Sequence, residues 1–389
     1  MMEKFHALII GGGGTGGALA HDLALRGLKV TLVERGEVTS GTTGRHHGLL
    51  HAGGRYAVKD KESAIECIEE NQILRKIAPG TFEENDGLFV AVTDEDVAYS
   101  SLFIEGCGEC GIPTKRLTRK EVLRMEPNLN PDTKMAVQVP DATMDAMRMP
   151  LRFFATAKAN GAVIKPFTEV KAILKEGKNV TGIRVADHTS GREYEIGADI
   201  VINAAGPWSG KIADMVGVEV PIRPSPGVMV AVRGRLCNMV VNHMAPSSDG
   251  DIIVPQRGLS VIGTTSWVVD DPDDLGLPKD HVQKMYDKGS KLIPLVNEVP
   301  FRAAWAAARP LIGPRKADAD TGRELSRTFK CFDHVDEGVE GFVTITGGKA
   351  TTLRGMAEAT ADVVVRKLGL DAPCRTREEI LLPYTAYYN

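Results

Sequence analysis

Six residues near the amino terminus, Gly11-Gly12-Gly13-Gly14-Thr15-Gly16, constrain this chain more than any other feature of it. They follow an apolar run at 5–10 (FHALII). They open a stretch, 14–26, in which Leu19, Leu23 and Ala24 recur at helical spacing up to a stop at Gly27. A second apolar run at 28–33 (LKVTLV) ends at Glu34, eighteen residues beyond Gly16. Strand, glycine turn, helix, strand and terminal acid together predict a βαβ unit that binds a dinucleotide. Gly11 permits the tight turn, Gly13 lets the backbone approach a pyrophosphate, and Gly16 lets helix and strand pack closely. The phosphates would lie at the helix N-terminus, where free N–H groups and the dipole favour an anion. Glu34 is positioned to accept hydrogen bonds from ribose hydroxyls.

The remaining composition narrows the class. At 389 residues, 43% apolar and 25% charged, the chain has enough material for two or three packed domains and is not dominated by disorder. A net charge of −4 gives no footprint for nucleic acid. No apolar run approaches the roughly 18 residues of a membrane span, and residues 1–17 lack a signal-peptide pattern, so a cytoplasmic protein is expected. The pair Cys107/Cys110 has no second pair at zinc-ribbon distance, and His46–His47 belongs to no HExxH ladder, so no metal is expected. The acidic run 270–274 reads as a solvated loop.

Helices are predicted at 61–77, with Asp60 as N-cap, and at 99–109, 147–159, 280–293 and 351–368. Strands are predicted at 87–92, 183–186, 199–203, 227–232, 251–255, 259–263 and 341–346. Strand and helix alternate toward both termini, while 82–140 and 217–330 are strand-rich. The pattern implies a discontinuous α/β nucleotide domain (1–81, 141–216 and 331–374), a mostly antiparallel substrate domain (82–140 and 217–330) and a tail at 375–389.

No second glycine fingerprint for a nicotinamide is present, and two segments favour FAD. Residues 199–208 (DIVINAAGPW) form an apolar strand ending in Ala204, Ala205 and Gly206, small enough for a cofactor to pass close. Residues 342–346 run into Gly347-Gly348-Lys349 and then a helix, which brings a second helix N-terminus and a lysine to where a reduced flavin carries negative charge.

The runs IIGGGGTGGALAHDLALRGLKVTLVERGEVTSGTTGRHHGLLHAGGRYA, VINAAGPW, ARPLIG and ITGGKATTLRGMAE resemble those of FAD-dependent glycerol-3-phosphate dehydrogenases. The likeness spans nearly the whole chain and is greatest to the catalytic large subunit of the anaerobic enzyme, in the D-amino-acid oxidase-like superfamily. It implies a glutathione-reductase-type FAD-binding Rossmann domain with an inserted antiparallel-sheet substrate domain. It also implies oxidation of sn-glycerol 3-phosphate to dihydroxyacetone phosphate by hydride transfer to flavin, with electrons passed to a quinone-linked acceptor or partner subunits, peripherally at the inner membrane face. Implied flavin contacts are Gly11, Gly13, Gly14, Thr15, Gly16, Glu34, Arg35, Thr42, Thr43, His46, His47, Gly48, Leu49, Val170, Ala205, Gly206, Trp208, Gly347, Gly348, Lys349, Ala350 and Thr351.

The same likeness makes His51 the candidate base, suited by an ordinary pKa near 6.5. Arg55 and Tyr56 fall at the substrate pocket, Arg309 and Lys349 match the family's substrate-binding cations with catalytic roles, and Arg327 is a further anion contact. Guanidinium groups bind phosphate oxygens in a fork. Two departures accompany this. The family's usual alanine in the fingerprint is Gly14, and the Cys-rich iron–sulfur module that normally follows is represented near Asn389 only by Cys374. Two other readings fit the same residues: a 2-hydroxy-acid dehydrogenase or oxidase of the 2-hydroxyglutarate type, and a non-catalytic flavin-binding subunit.

Overall fold

A computed structural model describes residues 5–313, 325 and 327–389. Strands β1 (His6–Ile10), β2 (Lys29–Val33), β3 (Val163–Lys165), β4 (Ile200–Asn203), β5 (Phe329–Asp333) and β6 (Phe342–Gly347) form one sheet in the order β5-β6-β4-β1-β2-β3. All its neighbours run parallel except β5, which is antiparallel to β6. Successive residues of a strand face opposite sides, and β1 uses this fully. Ala7 and Ile9 enter the core beneath helices α1 (Gly14–Leu25), α3 (Arg148–Ala159) and α4 (Leu353–Lys367), while Leu8 and Ile10 enter the core on the opposite face. That second face is covered by a three-stranded antiparallel sheet, Thr168–Glu176, Asn179–Asp187 and Arg192–Gly197. Helix α1 approaches α3 closely at Gly17, where an added Cβ would stand 2.8 Å from the Phe154 ring.

The segments 82–140 and 217–313 meet in an eight-stranded sheet. Its order is Phe301–Ile312, Ile222–Arg233, Leu259–Gly263, Ile252–Gln256, Val240–His243, Gly87–Ala91, Met135–Val139 and Lys115–Thr118. Only Val240–His243 and Gly87–Ala91 pair in parallel; the other neighbours are antiparallel. Helix Lys279–Leu292 packs on it through Met285 and Leu292. Phe301–Ile312 contains the alanine-rich run that leads into Arg309. It is a strand because residues Ile222 to Val232 pair with it at eleven positions, with one register shift between Ala231 and Val232.

Helix α2 (Lys61–Ile77) begins as expected, with Asp60 accepting from the Ser63 N–H at 3.2 Å. The helix predicted at 99–109 instead starts at Asp94, because Thr93 and Asp96 form a reciprocal capping box that the periodicity does not reveal. Cys107 and Cys110 at its end are buried free thiols, and burial pushes Cys107 up to about 12. Among the described residues no helix is long and apolar enough to cross a membrane.

Candidate functional site

A cavity of about 1050 Å³ runs along the carboxyl ends of β1, β2, β4 and β6, at the upper end of the range for ligand pockets. Open-sheet α/β proteins bind ligands at this edge, because the loops there diverge and helix N-termini point into the gap. Gly11, with φ 114°, carries the chain from β1 into the turn, and a Cβ there would stand 2.5 Å from the Ala204 carbonyl oxygen. Gly16 is off the cavity wall: a Cβ would collide with the Gly11 carbonyl, so its role is helix–strand packing. At Gly13 the single protein atom near an added Cβ is Thr43 Oγ1 at 3.2 Å, and the remaining space is the cavity. A pyrophosphate needs such space at a helix N-terminus.

Approaching from the opposite wall, Gly347 and Gly348 take φ of 86° and 70° and lead into a 3₁₀ turn, Ala350–Thr352, that opens α4. Two helix starts thus border one elongated cavity, with the small residues Ala204, Ala205 and Gly206 between them. These residues fit FAD.

Around Glu34 the arrangement is more closed than the sequence suggested. Glu34 Oε2 accepts from the Gly12 N–H (2.7 Å) and Oε1 from the Gly36 N–H (2.9 Å), so the carboxylate also holds the glycine loop. Arg35 stacks over the Trp208 ring at 4.6 Å and donates to Asp273 (2.6 Å). Trp208 Nε1 (2.9 Å) and Lys211 Nζ (2.9 Å) donate to the same carboxylate, and Lys211 also reaches Asp271 (2.7 Å). The acidic run expected to be a solvated loop is therefore bonded across the cavity mouth, and Pro272, Asp273, Leu275 and Gly276 line it. Hydrogen bonding from Arg35 holds Asp273 well below the ordinary carboxylate range.

A second group of side chains lines the same cavity. The rings of His46, His47, His51 and Tyr56 follow one another edge-on with centroids 6.4, 6.1 and 5.6 Å apart. Burial drives His51 down to about 3, aided by the charges of Arg55 and Lys349, so its imidazole is neutral across the cellular pH range. Burial likewise lowers His46 to about 4 and His47 well below 6.5. Lys349 Nζ lies 5.4 Å over the Tyr56 ring and donates to Glu66 (3.2 Å) and the Arg327 carbonyl (2.9 Å). Burial works against the Lys349 charge, but Cys67, Tyr56 and Glu66 outweigh it and raise the pKa. Arg55 donates to Asp251 (3.1 Å) and to the Ser248 carbonyl (2.8 Å). Arg309 donates to Thr264 Oγ1 and to the carbonyls of Ser225, Pro226 and Thr265.

Among the proposed flavin contacts, Gly48 faces away from the cavity. Its N–H donates to His46 Nδ1 (2.9 Å), and an added Cβ would run into Gln256 and the Met144 carbonyl oxygen. Apart from Gly16, the other proposed contacts, Thr15, Thr42, Leu49 and Val170 included, line it, as do Arg55, Tyr56, Arg309 and Arg327. The carboxylates Glu66 and Asp251, which compensate Lys349 and Arg55, carry no sequence signal. Glu66 is one of several glutamates on α2, and Asp251 is remote from Arg55 in the chain.

A family model described as FAD dependent oxidoreductase matches residues 6–363. The chain belongs to this family. It is 44% identical to a polypeptide of Haloferax volcanii named as one subunit of anaerobic glycerol-3-phosphate dehydrogenase, over 98% of this chain and 67% of that protein. It is 41% identical to a similarly named polypeptide of Escherichia coli K12, over 97% of this chain and 70% of the relative. The solved FAD complex of glycerol-3-phosphate dehydrogenase from Bacillus halodurans superposes with a TM-score of 0.73 at 25% identity, covering 98% of this chain and 68% of that one. An L-alpha-glycerophosphate oxidase from Mycoplasma pneumoniae, solved with FAD bound, shares the fold at TM-score 0.75 and 19% identity, covering 98% and 100%. The chain is thus a DAO-type oxidoreductase whose cofactor is FAD.

Proposed function

We propose that this oxidoreductase converts sn-glycerol 3-phosphate to dihydroxyacetone phosphate. The observation that carries the reading is a neutral imidazole, His51, opening onto the same cavity as three cationic side chains, Arg55, Arg309 and Lys349. A phosphomonoester brings close to two negative charges, and charge-assisted hydrogen bonds from guanidinium and ammonium groups recognise it. Glu66 and Asp251 hold two of these cations, Lys349 and Arg55, in place on the cavity wall. Bound flavin supplies a two-electron acceptor. In the proposed division of labour Arg55, Arg309 and Lys349 hold the phosphate, and His51 Nδ1 or Nε2 takes the proton of the secondary hydroxyl. Its low pKa keeps the ring unprotonated before substrate enters, and an arriving dianion stabilises the imidazolium that forms.

Two relatives carry names that make them part of a multi-subunit anaerobic dehydrogenase, which supports a companion electron-carrying polypeptide, or a quinone at the membrane surface, as the route by which electrons leave. The test is anaerobic titration of the flavin-loaded protein followed at the flavin absorption band. Glycerol 3-phosphate should bleach it quickly, glycerol and 2-hydroxyglutarate slowly. Faster bleaching by the hydroxy acid would move the protein to a carboxylate-binding class, and no bleaching by any of them in fully loaded protein would make it a flavin-holding subunit. His51→Ala should slow reduction at saturating substrate by roughly 10²–10⁴-fold, the worth of a positioned base.

A further inference from the structure

His51 lies in the loop between the short strand Leu49–Leu50 and α2, and the peptide groups around it are held from three directions. Its own N–H donates to Thr351 Oγ1 (3.1 Å), on the turn that opens α4. Its carbonyl accepts from Asn71 Nδ2 (3.2 Å), on α2. The next N–H, that of Ala52, donates to Asp141 Oδ1 at 2.6 Å. Asn71 is oriented in turn by Arg75, whose Nε donates to Asn71 Oδ1 (2.8 Å) and whose Nη2 reaches the Pro140 and Asp141 carbonyls (3.0 and 3.1 Å). Asp141 and the His51 loop are therefore tied to the same face of α2.

Asp141 has no place on the cavity wall and only 2% of its surface is exposed, so it touches neither substrate nor cofactor. A buried carboxylate is costly, and burial pushes it up to about 7 despite the Ala52 N–H. Room is left for it: Gly87 has no side chain, and a Cβ there would stand 2.6 Å from Asp141 Oδ2. On its other side Asn242 Nδ2 lies 3.5 Å from Oδ2, with Asn242 Oδ1 lacking a hydrogen-bond partner among the described residues.

We propose that Asp141 is a positioning residue for His51: its Oδ1 fixes the Ala52 peptide and so the direction in which the imidazole enters the cavity beside Tyr56. The inference rests on the reading of His51 as the proton acceptor. The role needs an acceptor oxygen and no charge, so asparagine can fill it once the Asn242 amide turns over to present its Oδ1, in place of Nδ2, to the new N–H₂. A base displaced by about 1 Å can lose on the order of 10²-fold in rate while binding survives.

The experiment is a double-mutant cycle on the flavin-loaded full chain, reading flavin content, the dissociation constant of glycerol 3-phosphate and the rate of flavin reduction at saturation. Asp141→Ala should keep flavin and substrate affinity and lose about 10–100-fold in reduction rate. Asp141→Asn should restore that rate to within about threefold of wild type. In the His51→Ala background, Asp141→Ala should change the rate less than about twofold. Equal slowing by Asp141→Ala with and without His51 would make Asp141 a general structural residue and overturn the proposal. Loss in Asp141→Asn as deep as in Asp141→Ala would overturn it too, and this arm decides alone if the alanine variant does not load with flavin. A His51→Ala protein that reduces at the wild-type rate refutes the base reading, and the proposal with it, an outcome distinct from an additive cycle.

Discussion

Replacing Asp273 should loosen FAD without touching the glycine turn that receives its phosphates. In the structure this one carboxylate collects Arg35, Trp208 Nε1 and Lys211, and so ties the 264–278 segment to the rim of the dinucleotide cavity near Glu34. The ion pairs are half-exposed, with Arg35 and Lys211 each 47% and Asp273 42% accessible. Exposed pairs contribute roughly 0.2–1 kcal/mol each. Two of them plus a charge-assisted indole bond total about 1–2 kcal/mol, which is roughly 5–30-fold in an opening equilibrium. Asp273→Ala should therefore raise the FAD dissociation rate about 5–30-fold, measured as recovery of flavin fluorescence after dilution into excess flavin-free acceptor protein. Because the rim is exposed, 0.5 M salt should speed release from the wild type and barely affect the variant. Asp273 is depressed below its unfolded pKa near 3.9, so its contribution is complete above that pH and is lost only as the pH falls toward the folded value. Release should consequently be level between pH 6 and 9. Asp274→Ala, in the same loop, serves as control. Identical release rates for wild type, Asp273→Ala and Asp274→Ala would show that the segment does not retain the cofactor.

Gly13→Val should purify nearly free of flavin, since the space beside Thr43 Oγ1 is where the side chain would go; full absorbance at the flavin band would disprove the pyrophosphate placement. Arg309→Met should remove most of the preference for glycerol 3-phosphate over glycerol in single-turnover reduction, and an undiminished preference would assign phosphate recognition elsewhere. The flavin-free protein should lose stability steeply below pH 6.5. His46, His47 and His51 are depressed in the fold, so the unfolded chain binds the protons, each at up to about 1.4 kcal/mol per pH unit until the folded value is passed. Denaturant midpoints at pH 7 and 5 would check this, and His51→Gln should narrow the gap.

The nucleotide half was legible in the sequence because its determinants are local. Strand, glycine turn, helix and Glu34 lie within about thirty residues; Gly12 and Gly16 are required by neighbours in the same unit, and Gly11 by the residues that follow β4. The likeness to glycerol-3-phosphate dehydrogenases added His51, Arg55, Arg309 and Lys349 for a similar reason: each sits in a short run with its own spacing.

What the chain does not disclose by itself is which distant groups neutralise or hold those side chains. Phe301–Ile312 is rich in alanine, a weak strand former without alternation, and only the ladder with Ile222–Arg233 makes it a strand. Asp273 reads as one charge in an acidic loop, since Arg35 and Lys211 are 238 and 62 positions away. Asp141 reaches the His51 loop across 89 positions, so its role exists only after α2, the opening turn of α4 and the segment 140–144 have packed together. Local spacing encodes local geometry, whereas charge pairing and the aim of a side chain are set by whichever elements the tertiary fold brings into contact.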